Sequence, residues 1–155
     1  MNLRTLDARA LREWPLPAVA ADADKEERGR VVVAGGSREI AGAVQLAGVS
    51  ALRAGAGKLV IATAASVAAQ VGQAVPEARV VALAEAGSGA LLAGTAAMQS
   101  TLAQAAAVLA GPGMMDAPGN LPFVEELLRA CGRVPLVLDA SAMTVTYCVA
   151  TKKSS

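Results

Sequence analysis

The chain has 155 residues and a formal net charge of +1, with 54% hydrophobic residues but only three aromatic ones, Trp14, Phe123 and Tyr147. That is enough for one domain with a core of closely packed Ala, Val and Leu, and with neither a basic cluster nor stacking surfaces it excludes ordinary nucleic-acid binding. The absence of histidine excludes a His-based triad, a His general base and the common zinc sites.

The start, MNLRTLDARALREW, mixes acidic and basic residues and is not a secretory signal. Thr5 to Trp14 reads as a short helix stopped by Pro15 and Pro17. Ala20 to Arg30 is polar and charged, a solvated connector. Val31 to Val33 is a buried-type strand that runs into Gly35-Gly36-Ser37. Ala43 to Arg53 carries a broad apolar helical face and ends at Gly55-Ala-Gly57. Leu59 to Thr63 is a second strand, Ser66 to Gln73 a short helix with Ser66 as its cap, and Arg79 to Leu83 a third strand. Lys58 reads as a solvated strand-edge charge and Glu77, after Pro76, as a loop residue.

Glu85 to Gly94 reads as a small-residue loop or short helix, and Thr95 to Ala105 as helical. Ala107 to Ala110 is a fourth strand that ends in Gly111-Pro112-Gly113. The uncharged stretch from Ala86 to Met115 is not a membrane span, because Gln99, Gln104, serines, threonines and glycines interrupt it. Leu121 to Cys131 is a helix with Leu121, Val124, Leu127 and Leu128 on one side and Gly132 at its end. Val134 to Leu138 is a fifth strand, ending in Asp139-Ala140-Ser141, and Met143 to Val149 alternates like a strand. Met114, Met115, Cys131 and Cys148 read as packing residues; two cysteines form no disulfide framework, which favours a reduced, cytoplasmic setting.

Short apolar strands alternating with helices predict an α/β fold: a mostly parallel sheet with helices on both faces. In such sheets ligands sit beyond the carboxyl ends of the strands. Gly35-Gly36, Gly111-Pro112-Gly113 and Asp139 all fall at such ends. Glycines let a backbone approach a ligand, and a strand-end carboxylate can hold a ribose hydroxyl, a metal or a proton. Together they suggest a nucleotide-sized ligand. The plain alternative is that Gly35-Gly36 makes a turn and Asp139 caps one. Gly55-Ala-Gly57 precedes a strand, and Gly57-Lys58 is followed by Leu59, so neither a dinucleotide fingerprint nor a P-loop is present.

From about Arg28 to Ala142 the chain resembles the bacterial ADP-dependent NAD(P)H-hydrate dehydratases, carbohydrate-kinase-like repair enzymes with a ribokinase-like fold. The blocks that carry the resemblance are GRVVVAGGS, AGAVQLAGVSALRAGAGKLVIAT, Pro76-Glu77, VLAGPG and LVLDASAM, in that order. The resemblance implies a reaction in which the hydrate of NADH or NADPH is dehydrated at the expense of ADP, or ATP, with magnesium; its hydroxyl is phosphorylated and phosphate then leaves. It implies a hydrate pocket lined by Ala43 and by Gly111 to Gly113, with Gly35, Gly36 and Asp139 beside it. It also implies a second half, with Thr-Pro-His-x-Gly-Glu, Lys-Gly and Gly-Thr-Gly-Asp motifs that supply a substrate histidine, the nucleotide contacts and the catalytic aspartate. None of these occurs in the 155 residues, so no catalytic residue and no metal ligand is assigned.

The organisation expected is a helix and connector over residues 1–27, a partial, apparently truncated ribokinase-like domain over 28–142, and a divergent tail over 143–155 that reads as the product of a frameshift or an early stop. A half sheet leaves a strand edge open and predicts self-association or a homo-oligomer. Two other readings stay open: a non-catalytic nucleotide-binding or interaction module, and half of another ribokinase-like small-molecule kinase.

Overall fold

A computed structural model describes residues 5, 7–15, 20, 22–116 and 118–144. Asp7 accepts the N–H groups of Arg9 and Ala10, so α1 begins at Ala8 and runs Ala8–Glu13, later than the pattern from Thr5 suggests. Five strands follow: β1 Arg30–Gly35, β2 Lys58–Ala64, β3 Ala78–Leu83, β4 Ala107–Ala110 and β5 Leu136–Leu138. Between them lie α2 Ala41–Arg53, α3 Ala68–Ala74, a 3₁₀ turn Thr95–Met98 leading into α4 Gln99–Leu102, and α5 Leu121–Cys131.

All pairings in the sheet are parallel, in the order β3-β2-β1-β4-β5. Val32, Val33 and Ala34 of β1, and Ile61 and Ala62 of β2, are wholly buried, as central strands covered on both faces must be. Alternate residues assign the faces. Leu59 and Ile61 lie under Gly48 of α2, where any side chain would collide with them, and Val80 lies under Gly72 of α3. Arg30 and Arg79, on the other face, reach Gln104 and Thr101 at the end of α4. Helices therefore cover both faces. Among the described residues no helix is long and apolar enough to cross a membrane.

Several local expectations give way to packing. Ser66 does not cap α3; Val67 stands at the cap without a side-chain bond, and the Ser66 N–H goes to Glu85 instead. The α4 region is a single turn rather than a helix to Ala105, and Glu85 to Gly94 is a loop. Strand β5 starts at Leu136 because Pro135, though its carbonyl joins the ladder through the Val108 N–H, has no N–H of its own to give. Leu128 is only partly covered, at 37% exposure; α5 buries Phe123, Val124, Leu127 and Cys131. Met114 is buried as expected, but Met115 is exposed, and Lys58 is half-buried and paired with Glu26. Residues 143–144 are helical, not extended; the rest of the Met143 to Val149 alternation, with Tyr147 and Cys148, lies outside the described residues.

One buried polar side chain ties the loops together. Asn120, fully buried at the start of α5, accepts the Leu91 N–H at 2.8 Å and donates to the carbonyls of Met115 and Asp116. It joins the segment after β3 to the segment after β4. Asn120→Ala would strand the buried Leu91 N–H. The expected cost is about 2 kcal/mol, a fall in midpoint of roughly 4–8 °C for a chain of this size, read by thermal unfolding followed by circular dichroism.

Candidate functional site

The strand order places the candidate residues. The chain runs β1 to β2 to β3 in one direction, then returns to set β4 on the other side of β1. The carboxyl ends of β1 and β4 therefore flank the point where the winding reverses, the usual ligand crevice of an open parallel sheet. Gly35-Gly36 ends β1 and Gly111-Pro112-Gly113 ends β4, so both glycine turns meet at that crevice.

The two turns touch directly. The Gly36 N–H donates to the Pro112 carbonyl at 2.7 Å. A side chain at Gly35 would overlap that same carbonyl oxygen. Gly36, at φ +80°, has the Thr63 hydroxyl oxygen 2.5 Å from where a Cβ would stand. Gly113, at φ +70°, faces the Ile40 carbonyl, with the Ala43 Cβ 3.0 Å from its own absent one. Gly111, at φ +123°, packs its α-carbon on the Asp139 carbonyl, and the Asp139 N–H donates to Ala110 at 2.8 Å. The turns after β1, β4 and β5 thus form one backbone cluster in which Gly35, Gly36, Gly111 and Gly113 are required by close approach, whatever ligand is bound.

The structure brings Gly36, Ala43 and Gly113 together beneath the first turn of α2. That helix has no side-chain cap; Ile40 stands at its start and gives its own N–H to the Ser37 hydroxyl at 3.2 Å. Its free N–H groups point the positive end of the helix into the crevice, which favours an anion. Asp139 is exposed at the end of β5, and the next residue, Ala140, holds φ +46°, a left-handed conformation that costs roughly 1–2 kcal/mol in a non-glycine residue. Gly42 is exposed with open space beside it.

Composition did not reveal three polar groups here. Among the described residues the hydroxyls of Thr63 and Ser141 and one carboxylate oxygen of Glu85 are buried with no hydrogen-bond partner. Thr63 lies at the end of β2 under Gly36, Ser141 follows the β5 turn, and Glu85 follows β3. All three sit on the carboxyl side of the sheet, but their sequence neighbourhoods are ordinary strand ends. Next to them Ser37, Arg38 and Glu39 face Gly87, Ser88, Gly89 and Met115 across a pocket of about 70 Å³. Among the described residues no group of carboxylate, His or Cys side chains is placed to hold a metal ion.

The model of the NAD(P)H-hydrate dehydratase family matches residues 31–154, past the last of the motif blocks. An ADP-dependent (S)-NAD(P)H-hydrate dehydratase of Xanthomonas campestris is 46% identical over 145 residues, which is 92% of this chain and 48% of that protein. Among solved structures, a ribokinase-like superfamily protein from Enterococcus faecalis superposes with a TM-score of 0.70 at 26% identity, covering 83% of this chain and 42% of that one. The ADP/ATP-dependent NAD(P)H-hydrate dehydratase of Bacillus subtilis, co-crystallised with ATP and Mg²⁺, gives 0.61 at 29% identity over 82% of this chain and 42% of its own. The sheet is therefore of the ribokinase-like α/β kind, and the chain spans about half the length of the relatives it matches.

The Ser66 hydroxyl and N–H, with Arg38 beyond them, hold the Glu85 carboxyl below its ordinary value of 4.5. A carboxyl lowered by folding stabilises the folded state above that ordinary value and loses the contribution as pH falls through the folded one. Glu85→Gln should be less stable than the parent at neutral pH, with the gap closing below pH 4.5. Urea midpoints between pH 7 and pH 3 check this (roughly the span over which carboxylates protonate); a gap that stays constant across that range overturns it.

Proposed function

The chain belongs to the NAD(P)H-hydrate dehydratase family, and we propose that it forms the hydrate-binding half of that dehydration site. The observation that carries the reading is the single cluster made by Gly36, Ala43 and Gly113 under the uncapped start of α2. The family match disfavours half of a different ribokinase-like kinase.

In this reading Ala43 and Gly111 to Gly113 contact the nicotinamide-nucleotide hydrate, with Gly35, Gly36 and Asp139 at the edge of the pocket. Backbone and methyl groups offer shape, and the α2 amino end offers positive potential to a phosphate. They offer no acid, base or nucleophile. An adenine nucleotide, ADP or ATP, when bound would supply the phosphoryl group that makes the substrate hydroxyl a leaving group. Among the described residues no group of three or more carboxylate, His or Cys side chains is placed to hold a metal ion, and no step is routed through magnesium. Phosphoryl transfer depends on donors aimed at developing charge, and these residues supply only part of that set. The setting is the cytoplasm.

Self-association belongs to the same reading. Among the described residues β5 is an edge, with Val137 59% exposed, and its outer ladder can take another strand.

Mixing the chain with NADH hydrate, ADP and magnesium tests this. Expected is saturable hydrate binding, seen by calorimetry, without ADP-dependent return of the reduced-nicotinamide absorbance, and a mass above the monomer by light scattering at micromolar concentration. Turnover by the chain alone would overturn the half-site reading, and absence of hydrate binding by folded protein would overturn the binding role.

A further inference from the structure

The opposite end of the sheet carries a second feature. The amino ends of β1, β2 and β3 surround a cavity of about 370 Å³ lined by Lys25, Arg30, Lys58, Arg79 and Glu77. The size lies within the roughly 300–1,000 Å³ of small-molecule sites. Glu77 of the Pro76-Glu77 pair lines the cavity too, a residue that the glycine cluster leaves unused. Arg30 and Gly35 stand at opposite ends of β1, more than about 15 Å apart at strand rise, so the cavity is not part of the hydrate crevice.

The register explains why the charges converge. Arg30 pairs with Lys58 across β1 and β2, and Arg79 pairs with Val60 across β2 and β3. Lys58 and Val60 are two residues apart, so Arg30, Lys58 and Arg79 share one face of the sheet. Like charges placed side by side on a sheet face repel and lower its stability. Lys58 is relieved by Glu26. Asp24 lies close enough to Lys58 and Lys25 to be affected by both, while its carboxylate accepts the N–H groups of Glu26 and Glu27.

Arg30 and Arg79 are different. Arg30 donates to the Gln104 amide oxygen and Arg79 to the Thr101 hydroxyl at 3.3 Å. Both partners are neutral: they orient a guanidinium and leave its charge in place. Among the described residues neither arginine has a carboxylate within ion-pair distance. Helix C-terminal ends face the same way and attract cations, but with only about half a charge each.

We propose that this cleft binds a diphosphate, free or as the diphosphate of a nucleotide. Two guanidinium forks stand on β1 and β3, two strand spacings apart across the sheet and two residues apart along it, about 12 Å between α-carbons, and both line the one cavity. Each fork suits one phosphoryl group, and a diphosphate presents two. Lys25 and Lys58 add charge at the rim without requiring a fixed geometry.

The test is calorimetric titration of the 155-residue chain with inorganic pyrophosphate at low salt, repeated with ADP. Saturable binding is expected, weakened at least about tenfold by Arg79→Gln and by Arg30→Gln and left unchanged by Arg38→Gln at the glycine end. Arg79 is exposed, so its variant keeps the test intact if Arg30→Gln misfolds by circular dichroism. Equal affinity for both ligands assigns a free diphosphate, and tighter ADP binding assigns a nucleotide. No saturable binding, or binding lost with Arg38→Gln but not with Arg79→Gln, overturns the proposal.

Discussion

The 2.7 Å hydrogen bond from the Gly36 N–H to the Pro112 carbonyl holds the candidate site together. It exists because β4 returns to lie against β1, and because neither turn carries a side chain where the other backbone passes. From that contact the rest follows. Gly113 is set against Ala43 at the start of α2, and Gly111 against the backbone of Asp139, so three strand ends and one helix start share a common wall. A methyl group at any of these glycines would push the turns apart.

The wall is rigid because the sheet beneath it is. Strands β1 and β2 are buried on both faces, and the small residues of α2 let that helix sit closely on Leu59 and Ile61. Few aromatic residues are needed when the layers approach this closely. Phe123 is the exception, wholly buried where α5 packs on the turn that leads into α4. Its burial contributes about 2–3 kcal/mol and fixes α5, which in turn places Asn120 across two loops.

The two ends of the sheet have opposite chemistry. The carboxyl end offers glycine backbone, a helix amino end and the buried hydroxyls of Thr63 and Ser141. The amino end offers Arg30, Lys58 and Arg79 on one face of three strands, with Lys25 beside them. Membership of the dehydratase family bears on the first end. The second depends on register and charge alone.

Much of this was legible along the chain. Short apolar runs mark the strands, since a strand covered on both faces must be apolar throughout; those of β1 and β4 are closed by glycine and that of β5 by Asp139. Glycine and proline mark where helices stop. The motif blocks from GRVVVAGGS to LVLDASAM gave the family, because local backbone demands of a turn or a close approach leave a trace in residue type. Strand neighbours left no such trace. That Gly36 meets Pro112, that Asp139 lies over Gly111, that Thr63 sits unpartnered under a glycine, and that Arg30 and Arg79 face one cavity all depend on the order β3-β2-β1-β4-β5 and its register. Pairing between distant strands is made by backbone groups that every residue carries, so only the folded chain decides it.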